Sequence, residues 1–195
     1  MGSRDDVLRA LRAAAPPVEP LPDLRGLGVK VNDLRDRFAQ SMAEVGGRCV
    51  RAADAASIVS ELQKLPEFTS ARKIVSLVPE VRGNVDLGSI ADPHELNDVD
   101  FCVLPAELAV AENAACWIAD HGGANRATCF LAQHLAVIVR AETLVADLHD
   151  AYARIQVPRP GFAMFLSGPS KTADIEQALV IGAHGARSCT AVLVG

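Results

Sequence analysis

The chain has 195 residues, about what one hydrophobic core supports, with 50% of them apolar and 22% charged, so it is globular rather than disordered. A formal net charge of −5 with scattered Lys and Arg gives neither the basic stripe nor the stacking aromatics of a nucleic-acid binder. No apolar run approaches the roughly 18–20 residues that cross a bilayer, so no membrane span is expected.

The opening segment MGSRDDVLRALRAAAP carries acidic residues and no apolar h-region, so no secretory signal is read there and the expected compartment is the cytoplasm. Within it Val7, Leu8 and Leu11 recur at helical spacing over Arg4–Ala14, and Pro16-Pro17 stops the helix. Residues 1–30 therefore read as a helix and a Pro-rich arm, and residues 31–195 as the domain proper.

From Val31, Leu34, Phe38, Met42 and Val45 keep helical spacing, with Asn32 or Asp33 as N-cap and Gly46-Gly47 as the stop. A short strand, Arg48–Arg51, follows. Asp54 then caps a helix carrying Ile58, Val59, Leu62 and Leu65 and ended by Pro66. Lys73–Val78 reads as a buried strand, Pro79–Pro93 as loop and Val99–Leu104 as the next strand. Ala106–Ala111 reads as a short helix, turning at Glu112-Asn113 into a strand over Ala114–Ile118. Asp120–Asn125 is a turn and Leu135–Arg140 another buried strand. Thr143 caps a helix bearing Leu144, Val145, Leu148, Tyr152 and Ile155. The rest reads as a strand, Phe162–Leu166, a helix, Thr172–Ile181, and a last strand, Ser188–Val194.

Aromatics are only 4% of the chain, so the core is built of Ala, Val, Leu and Ile. Strands alternating with amphipathic helices then predict a three-layer α/β fold, its central sheet mostly parallel and flanked by helices.

Five cysteines stand at 49, 102, 116, 129 and 189, no two closer than 13 positions, so no zinc or iron–sulfur ligand spacing exists. They read as reduced, buried thiols. No GxGxxG with a following acid occurs, and no cofactor is expected. Nor is a metal: Asp98–Asp100 and Asp120 lack calcium-loop spacing, and no His pair lies at helical spacing.

Three places could carry chemistry. In FLSGPSKTADIE, residues 165–176, an apolar strand runs into Ser167-Gly168-Pro169-Ser170 and then toward a helix that Ser170 or Thr172 could cap. That pattern fits either an anion cradle at a helix N-terminus or a plain capped turn. In Gly182-Ala183-His184-Gly185 two glycines flank an imidazole that titrates near neutrality, an acid/base group or a turn residue. Glu112 stands at a turn amid apolar residues, where it could be a nucleophile, a base or a salt-bridge partner.

The run SGPSKTADIEQALVIGAHGARS, residues 167–188, resembles the signature of the LUD (lactate utilization) domain family, in particular its LutC/YkgG group. The resemblance covers residues 31–195 and implies a fold like the NagB/RpiA/CoA-transferase group. It implies an accessory subunit that carries no redox centre, working beside iron–sulfur partner subunits in the oxidation of L-lactate to pyruvate. On this reading Glu112 and His184 are the catalytic candidates. Ser167, Gly168, Ser170, Thr172 and Gly185 are expected to bind a small carboxylate or phosphate, while self-association is left open. One departure stands out: the group's A-E-T-G is Ala111-Glu112-Asn113-Ala114 here, without the glycine that takes positive φ freely. Glu112-Asn113 also resembles the S-E-N-G segment of family I CoA-transferases. That supports an alternative, an enzyme acting on a CoA ester or sugar phosphate through Glu112. A scaffold docking a partner through the Pro-rich arm is a third reading.

Overall fold

A computed structural model describes residues 3–17, 19–20, 22–23, 31–120, 125–156, 161–173 and 179–195. The chain divides into residues 1–30 and 31–195. In the first unit, α1 (Ser3–Ala13) has Asp5 and Asp6 in its first turn and Arg12 in its last, matching the helix dipole.

The second unit opens with α2 (Leu34–Glu44), capped by Asp33, whose carboxylate accepts the Arg35 and Asp36 N–H groups at 2.8 and 3.2 Å. β1 (Arg48–Ala52) follows, then a 3-10 turn with a reciprocal Asp54–Ser57 capping box that leads into α3 (Ile58–Leu62). Pro66 does not simply end that helix. It sits at the start of a further short one, α4 (Pro66–Thr69), where its missing N–H costs nothing. Then come β2 (Ile74–Ser76), a 3-10 turn inside the predicted loop and another running just past it, β3 (Phe101–Pro105), β4 (Leu108–Val110) and β5 (Cys116–Asp120). α5 (Asn125–Leu131), β6 (His134–Arg140), β7 (Leu144–Val145), α6 (Leu148–Arg154), β8 (Phe162–Leu166), β9 (Lys171–Ala173), β10 (Leu179–Ile181) and β11 (Ser188–Val194) complete the chain.

The central sheet has five strands in the order β1-β11-β6-β3-β2, every neighbouring pair parallel. Alternate residues face opposite sides. Phe101, Val103, Ala136, Ile138, Val192 and Val194 pack with Ile58 and Leu62 of α3. Cys102, Leu104, Leu135, Val137, Ala191 and Leu193 pack with Phe38 and Met42 of α2, and with Ala109, Cys116 and Leu144 of a second sheet. The predicted parallel core with helices on both faces is therefore present.

In the second sheet, ordered β7-β4-β5-β8, β5 and β8 overlap predicted strands, while β4 and β7 were not legible in the sequence. It overturns two predicted helices. Ala106–Ala111 is not helical: Leu108–Val110 forms β4, with Leu108 and Ala109 paired antiparallel to Trp117 and Cys116. Thr143 closes a short 3-10 turn instead of capping a helix, and Leu144-Val145 pairs with Ala109-Val110 as β7. The helix starts later, capped by Asp147, whose side chain accepts the Asp150 N–H at 2.9 Å. On the outer face of this sheet Leu108, Val110, Trp117 and Val145 pack against Ala151 of α6.

Candidate functional site

The largest correction falls on the motif itself. Residues 171–173 and 179–181 are not parts of one helix; they are β9 and β10, paired antiparallel with Thr172 opposite Val180. Asp174, Ile175 and Glu176 lie outside the described residues. The helical periodicity of this segment loses to strand pairing closed by the Gly182 N–H on the Ser170 carbonyl at 2.9 Å. Among the described residues no helix therefore starts in the motif after Ser167–Ser170. The loop also follows β8 of the second, mixed sheet and not a strand of the central one, so the ligand crevice of a parallel sheet is elsewhere.

What the loop does instead is join distant segments. The Ser167 hydroxyl donates to the Asn113 carbonyl at 2.7 Å. The Ser170 N–H donates to the Ala186 carbonyl at 2.9 Å, and Lys171 Nζ to the Val45 carbonyl at 2.6 Å. A Cβ on Gly185 would stand 3.0 Å from Ser170 Cβ. The structure thus brings Ser167, Gly168, Ser170 and Gly185 to one junction, with the backbone beside Glu112. Thr172 is half-buried, while Glu112 and His184 are exposed, His184 on the expected turn.

The Glu112 backbone is anchored from α2. Ser41, itself buried, donates its hydroxyl to the Ala111 carbonyl at 2.7 Å and lies 3.1 Å from that of Glu112. Arg37 Nη2 reaches the Glu112 carbonyl at 3.0 Å. Ser41→Ala leaves the Ala111 carbonyl without that donor and is expected to cost about 1–3 kcal/mol. Urea denaturation with an unchanged m-value would register the loss; a midpoint equal to the parent's would show that the bond contributes nothing.

Cys102, Cys116, Cys129 and Cys189 are buried, as read from the sequence, whereas Cys49 is half-buried. Burial pushes the Cys189 thiol up to about 12 and those of Cys102 and Cys116 well above the ordinary thiol range. These thiols stay protonated at neutral pH. Asp100 spends its carboxylate on the N–H groups of Lys73 and Arg72 at 2.9 and 2.8 Å, bonds that lower its pKa. Among the described residues no group of three His, Cys, Asp or Glu is placed to hold a metal ion. Among them too, no helix is long and apolar enough to cross a membrane.

Sequence reasoning passed over one place. The carboxyl ends of the central strands meet in a cavity of about 130 Å³ whose lining includes Ile58, Glu80, Ala106, Ile138, Arg140 and Val194. The available signal was topological: Arg140 is the last residue of a buried strand, and Glu80 follows shortly after β2.

A parallel sheet backed by a small mixed sheet, closed by glycine turns at Ser167–Ser170 and Gly182–Gly185, is the frame on which the family signature sits. The LUD domain family matches residues 89–194, and the chain belongs to it. Lactate utilization protein C of Geobacillus sp. (strain WCH70) is 24% identical over 204 aligned positions, 98% of this chain and 79% of that protein. The protein of the same name from Shouchella clausii (strain KSM-K16) is 31% identical over 91 residues, 44% of this chain and 40% of its own. A crystal structure of a DUF162 family protein from Deinococcus radiodurans shares the fold. Its TM-score is 0.58 at 16% identity, over 83% of this chain and 96% of that one.

Proposed function

We propose that this chain serves lactate utilization as an accessory subunit without a redox centre, in a system that oxidises L-lactate to pyruvate. The observation that carries the reading is the alignment of 98% of the chain with a Lactate utilization protein C. Oxidising a 2-hydroxy acid to a 2-oxo acid removes two electrons and two protons, which need an acceptor. The five cysteines here are spread singly along the chain, no two closer than 13 positions, and show no ligand spacing for one. The proposal therefore assigns electron transfer to iron–sulfur partner subunits and assigns binding to this chain.

The junction of Ser167, Gly168, Ser170 and Gly185, with Thr172 on the adjoining β9, is our proposed contact for a small anion. Lys171 supplies positive charge beside it, and Glu112 and His184 are our proposed groups for proton exchange there. Disrupting the gene in its own organism is expected to abolish growth on L-lactate, leave growth on pyruvate intact, and be reversed by the intact chain. Equal growth of mutant and parent on L-lactate would overturn the proposal.

A further inference from the structure

The connections of the central sheet diverge at its carboxyl edge. β1 leads into α3, whose Ile58 and Leu62 cover one face. β3 and β6 lead into β4 and β7, whose Ala109 and Leu144 lie on the other face. β11 ends between β1 and β6. Where successive connections leave on opposite faces, the strand ends cannot be covered and a crevice opens, the place where open α/β sheets take ligands. The cavity floored by Ile58, Ile138 and Val194 occupies that crevice.

Its floor is apolar, and its rim carries one cation and one anion. Arg140 Nη2 lies 4.0 Å from Glu80 Oε1, with the side chains 57% and 26% exposed. At that separation the two attract but are not hydrogen-bonded, so each can engage a third group. A volume of about 130 Å³ is close to the roughly 150 Å³ of a cavity that takes benzene.

We infer that this edge cavity binds a short 2-hydroxy monocarboxylate: its carboxylate on Arg140, its hydroxyl donating to Glu80, and its alkyl end on the Ile58, Ile138 and Val194 floor. L-lactate has as many heavy atoms as benzene and carries the three required groups. Pyruvate and propionate lack the hydroxyl, and an apolar solute lacks the carboxylate. The choice of ligand rests on the lactate reading above; the location rests on the sheet.

The test is titration of the full-length protein with L-lactate, pyruvate and propionate, followed by NMR of the Ile and Val methyl groups. L-lactate is expected to shift Ile58, Ile138 and Val194 saturably. Arg140→Gln should weaken it roughly tenfold or more, the loss of one charge-assisted bond pair. Glu80→Gln should narrow its preference over pyruvate and propionate, and Lys64→Gln, an exposed cation away from the cavity, should change nothing. Silent cavity methyls at saturating L-lactate, or equal affinity in Arg140→Gln, would overturn the site. The growth experiment is independent. A growth defect with silent methyls keeps the role and removes this site, whereas saturable cavity shifts without a growth defect keep the site and remove the role.

Discussion

Gly168→Ala is expected to destabilise the protein by about 3 kcal/mol, near the top of what one methyl group does. Two costs add. Gly168 has a φ of +71°, in the left-handed region where a side chain costs roughly 1–2 kcal/mol. A Cβ built there would also stand 2.8 Å from Val45 Cγ2 and 2.9 Å from the Val45 carbonyl oxygen. The side chain could turn away, but the carbonyl cannot: it also accepts the Lys171 ammonium, so a shift would strain a second contact. For a chain this long each kcal/mol moves Tm by about 2–4 °C, so a fall of roughly 10 °C is expected in a thermal melt. Gly88→Ala is the control, since its Cβ would meet only the Asp86 side chain at 3.2 Å. Equal melting temperatures for the two variants would show that the junction yields easily.

That contrast bears on what the sequence could reveal. The glycine in SGPS answers a backbone requirement set by Val45, more than a hundred positions away, and not by a helix N-terminus as the anion-cradle reading supposed. Long strands with β-branched runs, such as Leu135–Arg140 and Ser188–Val194, are legible because burial on both faces removes alternation and leaves a continuous apolar run. β4 and β7 are three and two residues long, too short for any period to declare itself. Ala109 suits a helix by propensity and a strand by burial, and burial against Cys116 and Leu144 wins. The Glu80–Arg140 rim was invisible for a different reason. Its parts are 60 positions apart and gain meaning only once strand order is known.

The turn joining β4 to β5 offers the sharpest further test, because the departure noted there in the sequence falls on a strained residue. Ala114 has a φ of +57° and is fully buried. It is held by the Asn113 side chain accepting the Ala115 N–H at 3.1 Å and by the Val110 N–H on the Ala115 carbonyl at 2.8 Å. Ala114→Gly relieves roughly 1–2 kcal/mol of left-handed strain. It gives up about 0.8 kcal/mol of buried methyl and about 0.4–1 kcal/mol through a freer unfolded chain. These nearly cancel, so stability should change by less than about 1 kcal/mol. Ala191 of β11 is equally buried but extended, so the same substitution there relieves nothing and should cost about 1–2 kcal/mol. Ala114→Val combines a β-branched side chain at positive φ with overpacking and should cost about 3 kcal/mol. Urea denaturation of the three variants measures this directly. A glycine cost at 114 as large as at 191 would mean that the turn stores no strain. The expected order, glycine at 114 nearly free and valine severe, would mean that the backbone beside Glu112 is held in the left-handed conformation that a glycine takes freely.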